Sequence, residues 1–224
     1  MEVVALLPMK GHSERVPNKN LKDFNGFPLY HAVAKTLQKC RSVSRLIINT
    51  DSDKIKEDAL KTFGDFVIIH DRPAEICGDF VSMNEIINYD ILKDGSQHFI
   101  QTHSTNPILK TETIEEAIQF YFRNLSTYDS VFSVTKWQTR LYWQDGSAIN
   151  HNPAELLRTQ DLPPVFEENS NFFIFSKQSF LNSGKKRIGL KPQMFEVNKV
   201  EAIDIDNPED FIIAQQLDLL RNKI

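Results

Sequence analysis

Apolar positions follow two alternating rhythms for most of the chain. Val3-Val4-Ala5-Leu6-Leu7 is a continuous run rich in β-branched residues, the pattern of a strand buried on both faces of a parallel sheet. Pro8 stops it, and Gly11 frees the backbone for a turn. From Pro28 to Cys40 the apolar Leu29, Val33, Ala34 and Leu37 fall at helical spacing. Arg45 to Thr50 reads as a second strand, and Asp51-Ser52 caps a helix reaching about Phe63, where Gly64 ends it. Phe66 to Ile69 is a short strand, and Asp71 to Asp79 has no period and reads as a loop. Val81 to Leu92 is helical, Phe99 to Gln101 a strand, Thr111 to Phe122 a helix with Thr111 as its cap, and Ser130 to Val134 a fifth strand. Strands alternating with helices through short connections predict an α/β fold: a Rossmann-like, mostly parallel sheet with helices on both faces.

The rhythm breaks from Lys136 to about Val165. Trp137, Tyr142 and Trp143 stand among polar residues, followed by Gly146, Pro153, Pro163 and Pro164. The stretch from Leu141 to Asn150 predicts a hairpin turning at Asp145-Gly146. Residues 136–165 therefore read as an insertion within a single domain spanning 1–224. Its aromatics either form a contact surface for a second subunit or close over the body of their own chain. The α/β pattern resumes with strands at Asn171 to Phe175 and Lys199 to Asp204. A closing helix follows from Pro208 to Leu220, with Asn207 as its cap.

Composition narrows the class. The 224 residues are enough for a full core, and a net charge of -4 with positive charge confined to one loop argues against a nucleic-acid binder. No apolar run approaches the roughly 18 residues of a membrane span. Cys40 and Cys77 have neither metal-ligand nor CxxC spacing, which suits a reducing cytoplasmic compartment, and no leader precedes the first strand.

Two stretches carry candidate chemistry. The loop after the first strand holds Lys10, Arg15, Lys19 and Lys22, with Gly11, Ser13, Asn18 and Asn20 between them. A glycine-bearing basic loop at the carboxyl end of a first strand can hold a polyanion, although it matches neither common nucleotide fingerprint. The bland alternative is a solvated basic loop. Near the other end, Asp204-Ile205-Asp206 presents two carboxylates on one side of a strand, hard ligands suited to Mg²⁺ together with substrate phosphates. Here the bland alternative is that Asp206 caps the last helix while Asp204 pairs with a lysine. Arg72 is either a surface ion-pair partner or a ligand. Gln101 to Pro107 offers neutral hydrogen-bonding groups that suit a sugar or base, and a hydrogen-bonding role for His103 ranks above general base. Joined, a polyphosphate loop and an Asp-x-Asp describe nucleotide-sugar chemistry.

These segments together resemble the acylneuraminate cytidylyltransferases, the CMP-sialic acid synthetase family. Pro8 to Asn20 is similar to P-A-R-x-G-S-K-x-x-P-x-K-N. Asn49-Thr50-Asp51-Ser52 is similar to S-T-D-S, and Arg72-Pro73-Ala74-Glu75 with Asp79 and Ser82 to R-P-x-x-L-A-x-D-x-x-S. The Gln101 segment is similar to Q-x-T-S-P-L, Asn169 falls at N-G-x-x-Y, and Asp204-Ile205-Asp206 matches D-I-D. The resemblance covers nearly the whole chain. It implies a fold of the nucleotide-diphospho-sugar transferase type, with the insertion serving dimerisation of a homodimer. It further implies that CTP and a sialic-type sugar acid give the CMP-sugar and pyrophosphate. Lys10, Arg15 and Lys19 would neutralise the triphosphate; Gly11, Ser13, Asn20, Arg72 and Ser82 would hold the nucleotide. Gln101, His103 and Asn169 would face the sugar, and Asp204 and Asp206 would hold Mg²⁺, with Asp204 also catalytic.

The chain departs from the pattern at Lys10, where the family has arginine, and at Glu14, where it has lysine, although Arg15 is adjacent. Ser170-Asn171 replaces Gly-Ala after Asn169, and Glu167 and Glu168 stand where a basic residue is common. These changes leave the acceptor open among nonulosonic acids and Kdo. A metal-dependent glycosyltransferase would carry its Asp-x-Asp mid-chain instead. A non-catalytic nucleotide-binding relative is the third alternative.

Overall fold

A computed structural model describes residues 2–13 and 15–221; Glu14, one of the departures above, lies outside the described residues. The chain begins with β1 (Val3–Leu6), α1 (Tyr30–Lys39), β2 (Val43–Thr50), α2 (Asp53–Phe63), β3 (Val67–Asp71) and α3 (Met83–Lys93). It continues with β4 (His98–Thr102), α4 (Thr111–Asn124), β5 (Ser130–Trp137), β6 (Val165–Ser176), α5 (Lys177–Asn182), β7 (Pro192–Glu196) and α6 (Pro208–Arg221). The strands form one sheet in the order β3-β2-β1-β4-β6-β5-β7. Pairing is parallel except at β6, which runs antiparallel to both β4 and β5.

The continuous apolar run of β1 feeds both faces of the sheet. Val3, Ala5 and Leu7 join Val33, Leu37, Ile55, Ala59, Ile114 and Ile118, so α1, α2 and α4 cover one face. Val4 and Leu6 join Ile87, Ile91 and Phe180, so α3 and α5 cover the other. A third cluster, Val16, Phe24, Leu29, Ile108, Ile205, Phe211 and Ala214, packs α6 against the stretch following the basic loop. It draws the two candidate stretches, nearly two hundred residues apart, to the same end of the sheet.

Three readings of the sequence change. Lys199 to Asp204 is not a strand: residues 199–202 form turns and 203–206 run without regular structure. Both sides of β5 are taken, by β6 and β7, so this segment finds no place beside that strand. β7 itself lies in a stretch the apolar pattern left unassigned. Thr111 is not the cap of α4. Lys110 occupies that position, and the Thr111 hydroxyl donates to Thr36 O at 3.2 Å. α6 keeps Asn207 directly before its first residue, Pro208, whose missing N–H costs nothing there, and Asp210 Oδ2 accepts from the backbone N–H groups of Asp206 and Asn207.

The insertion narrows to residues 138–164, because β5 and β6 continue as an antiparallel pair out to Trp137 opposite Val165. The expected hairpin forms: Tyr142 bridges Ala148, Trp143 N–H donates to Ser147 O at 2.8 Å, and Gly146 has φ of 82° at the turn. The Trp137 Nε1–H donates to Glu167 at 2.6 Å and its ring lies under Lys199, whereas Trp143 and Leu156 are exposed.

Candidate functional site

Beyond β1 the chain stays beside β2 for two more backbone bonds, from Leu7 N to Ile47 O and from Met9 N to Asn49 O. It then turns at Gly11, whose N–H donates to Asp51 Oδ1 at 2.7 Å. A Cβ on Gly11 would meet Ser52 Cβ at 2.9 Å, so this approach of loop to α2 admits only glycine without rearrangement. Ser52, as expected, caps α2 by accepting from Ile55 N. Asn20 ties the loop from both ends of its amide: Nδ2 donates to Lys10 O at 3.0 Å and Oδ1 accepts from Ser104 Oγ at 2.7 Å.

The loop's three cations are drawn toward acceptors outside it. Lys10 pairs with Asp79, Arg15 Nη2 lies 2.7 Å from Asp206 Oδ1, and Lys19 Nζ donates to Ile205 O at 2.5 Å. Burial lowers the Lys19 pKa, and the nearby carboxylates of Asp204 and Asp206 oppose that shift. These residues, with Ser13, Asn20 and Arg72, line a cleft of about 370 Å³. Backbone N–H groups, amides and fixed positive charge in one concavity suit a polyphosphate.

Asp204 and Asp206 still diverge from Ile205 as a strand would have arranged, but the cause is different. Ile205 is fully buried in the third apolar cluster and leaves its neighbours at the surface. Side chains of other elements hold the segment at successive carbonyls: Asn171 Nδ2 donates to Glu201 O at 3.0 Å, Asn106 Nδ2 to Ile203 O at 3.3 Å, and Lys19 to Ile205 O. The Ile205 N–H donates to Thr105 O at 2.9 Å. Glu201 itself is buried and accepts from Lys110 N–H and the Thr113 hydroxyl at the start of α4. Desolvation raises the Asp204 pKa, Asp206 adds repulsion, and the Thr105 hydroxyl and Lys19 act against both.

Asp204 and Asp206 line a second cleft of about 450 Å³ with Asn169, Ser170, Glu168 and Lys199. The pairing of β5 with β6 slips between Phe132 and Val134, from Phe173 opposite Phe132 to Glu168 opposite Val134. That bulge frees Asn169 from the ladder, with Ser170 at φ 56°. The Asn169 amide is fixed by Thr135 Oγ1 at 2.9 Å and Asn171 N at 3.2 Å. Two adjacent carboxylates, one of them raised by burial and by the other's charge, fit a hard divalent cation. Among the described residues no group of three or more His, Cys, Asp or Glu side chains could hold a metal ion. Mg²⁺ held here would take its remaining ligands from substrate and water.

Gln101, His103 and Ser82 stand apart from these two clefts, whereas Arg72 lines the first. Gln101 is fully buried, its Nε2 donating to Thr102 O and its Oε1 accepting from Arg187 at 2.7 Å. His103 Nε2 lies 3.4 Å from the same guanidinium. Desolvation, with Arg187 adding to it, lowers the His103 pKa to about 4, so the ring is neutral at pH 7. Ser82 caps α3, accepting from Glu85 N, and borders a neighbouring cleft instead of the cationic one. Arg72 spans strand ends: Nη2 donates to Met9 O and Asn49 O, and Nε to Asn49 Oδ1. Sequence reading passed over Arg187, which lies in an aperiodic stretch and stacks 4.0 Å over the Phe173 ring, and Asn171, whose role depends on a bulge. Neither leaves a periodic signal.

The chain resembles known proteins throughout. A family model described as Cytidylyltransferase matches residues 4–223. An N-acylneuraminate cytidylyltransferase of Streptococcus agalactiae is 25% identical over 95% of this chain, which spans about half (52%) of that relative's length. A pseudaminic acid cytidylyltransferase of Campylobacter jejuni is 22% identical over 97% of this chain and 96% of its own. Among solved structures, a CMP:2-keto-3-deoxy-manno-octonic acid synthetase complexed with CTP superposes with a TM-score of 0.67 at 15% identity, covering all of both chains, which is a likeness of fold. A basic loop and a paired carboxylate segment on this sheet, with a family match over nearly every residue, assign the chain to the cytidylyltransferase family.

Proposed function

We propose that this chain transfers the cytidylyl group of CTP to a nonulosonic sugar acid, releasing pyrophosphate. One observation carries the reading: the Arg15, Lys19, Asp204 and Asp206 cluster stands between two clefts, one cationic and one lined by amides and carboxylates. The triphosphate suits the first cleft and the sugar acid the second, so their reacting atoms meet at the cluster. There the anomeric hydroxyl oxygen attacks the α-phosphorus, the bond to the bridging β-phosphate oxygen breaks, and pyrophosphate leaves with that electron pair.

Lys10 and Lys19 then offset charge building on the phosphoryl oxygens. Arg15, swung from Asp206, does the same for the leaving pyrophosphate, while Gly11, bonded to Asp51, shapes the loop that carries these cations. Asn20, tied to Lys10 O and Ser104, keeps the loop in register. Asn169 is placed to hydrogen-bond the sugar, while Gln101 and neutral His103 hold Arg187 near it. Asp204 takes the hydroxyl proton, directly or through a water. Mg²⁺ on Asp204 and Asp206 would supply charge neutralisation to the phosphates.

The exposed Tyr142, Trp143 and Leu156 of the insertion suit pairing with a second copy, and sedimentation at micromolar concentration tests that. Cys40 and Cys77 are free thiols, and no helix among the described residues is long and apolar enough to cross a membrane; a cytoplasmic setting fits both. The deciding experiment is pyrophosphate release from CTP and Mg²⁺ with N-acetylneuraminic, legionaminic or pseudaminic acid or Kdo, with ATP and GTP as controls. Release with CTP and one nonulosonic acid is expected. Silence across the panel while CTP still binds overturns the reading.

A further inference from the structure

Behind the cationic cleft lies a buried polar chain that ends at Arg72 in the cleft wall. Asp90, on α3, is fully buried, and its Oδ1 collects two contacts: Asn49 Nδ2 at 2.7 Å and His70 Nδ1 at 2.8 Å. Asn49, also fully buried, is thereby oriented. With its Nδ2 given to Asp90, its Oδ1 must face the other way, where it accepts from Arg72 Nε at 2.7 Å. Arg72 in turn bridges Met9 O, just past β1, and Asn49 O near the end of β2, at 3.2 and 2.9 Å. One carboxylate thus sets an amide, the amide sets a guanidinium, and the guanidinium clamps the strand ends from which the cationic loop departs.

The arrangement is costly as a stabilising device. The Asp90 Oδ2 is buried without a hydrogen-bond partner among the described residues. A buried carboxylate so incompletely answered often does less for stability than apolar packing of the same volume. The placement of Arg72 is what the cost secures. We infer that Asp90 and His70 are positioning residues for nucleotide binding, acting through Asn49 to hold Arg72 and the start of the cationic loop in their CTP-binding arrangement. This rests on the proposed function in taking CTP as the ligand.

The chain's polarity supplies the test. Asn49→Asp sets two carboxylates against each other, and Asp90→Leu leaves the Asn49 Nδ2 and His70 Nδ1 without their shared acceptor. The exchange Asn49→Asp with Asp90→Asn restores every contact. The carboxylate introduced at position 49 accepts from Arg72 Nε and from the amide nitrogen introduced at position 90, which stands where Oδ1 stood and gives its second hydrogen to His70 Nδ1 in the tautomer protonated at Nε2. CTP dissociation constants, measured by calorimetry on the intact chain and the three variants, are read beside thermal melting without nucleotide. Each single variant is expected to bind CTP roughly ten- to a hundredfold more weakly, and the exchange to return within about threefold of the parent. Single variants that bind CTP like the parent overturn the inference. So does an exchange variant that melts like the parent yet binds CTP no better than the single variants. Should a single variant fail to fold, the exchange variant alone decides between these outcomes. A parent chain that binds no CTP would instead count against the proposed function.

Discussion

The two halves of the sheet present their functional groups in different ways. In the parallel half, β3-β2-β1-β4, the site grows from strand ends: the cationic loop leaves β1, Asp51 and Ser52 follow β2, Arg72 follows β3, and Ser104 follows β4. In the other half, β6-β5-β7, the groups sit on departures from regularity, a bulge at Asn169 and an irregular segment at Asp204. Regular strands position a ligand loop through topology alone. An irregular segment needs a separate side chain for nearly every carbonyl, as Asn171, Asn106 and Lys19 provide. The first half should therefore govern nucleotide affinity and the second the chemical step.

The severest way to break that division is Asp204→Asn. Turnover is expected to fall about a thousandfold or more while CTP affinity changes much less, as pyrophosphate release and calorimetry would measure. Equal losses in both quantities would dissolve the distinction. Next in size is Asn171→Ala, which removes the donor holding Glu201 O without touching either cleft's charges. It should lower kcat about tenfold and leave CTP affinity unchanged, and a rise in the CTP dissociation constant would show that the acidic segment serves nucleotide binding too. Gly11→Ala acts on the opposite half. The 2.9 Å approach to Ser52 forces the loop outward, so CTP binding should weaken about fivefold with kcat nearly intact.

The smallest effect is a pH dependence of stability at the end of β4, where the two halves meet. His103 binds its proton at about 4 when folded against an ordinary value of 6.5. Between those values the unfolded chain holds more protons than the folded one, so stability declines as pH falls through that window and levels off below it. Urea titrations from pH 7 to 4 should show this slope, reduced in His103→Asn. An unchanged slope in the variant would assign it to other groups.

The parallel half was also the half legible in sequence. Its strands are apolar runs or periodic segments, and β1, β2, β4 and the helices between them fall close to their expected places. The basic loop was visible because its charges cluster over a few positions. The acidic segment was visible as a motif yet misread as a strand. The apolar Val200, Ala202, Ile203 and Ile205 suggest a strand, yet Val200 is exposed and Glu201 buried, and side-chain polarity does not report whether a neighbouring strand is free to pair. β7 was overlooked because it is a short, mixed-polarity edge strand beginning with proline. The Asp90 chain was hidden for a different reason: its members come from four elements, and only packing unites them.

The contacts of the cationic loop also order its assembly. Gly11 is answered by a residue 40 positions away, Lys10 by one at 69, Asn20 by one at 84 and Arg15 by one at 191. As the chain emerges from the ribosome, the loop acquires its restraints in that sequence. Its last one arrives when nearly all of the described chain is available, since loop closures of such span are entropically the most expensive. Partially folded chains thus keep Arg15 without Asp206, and the cluster of Arg15, Lys19, Asp204 and Asp206 is completed late in folding.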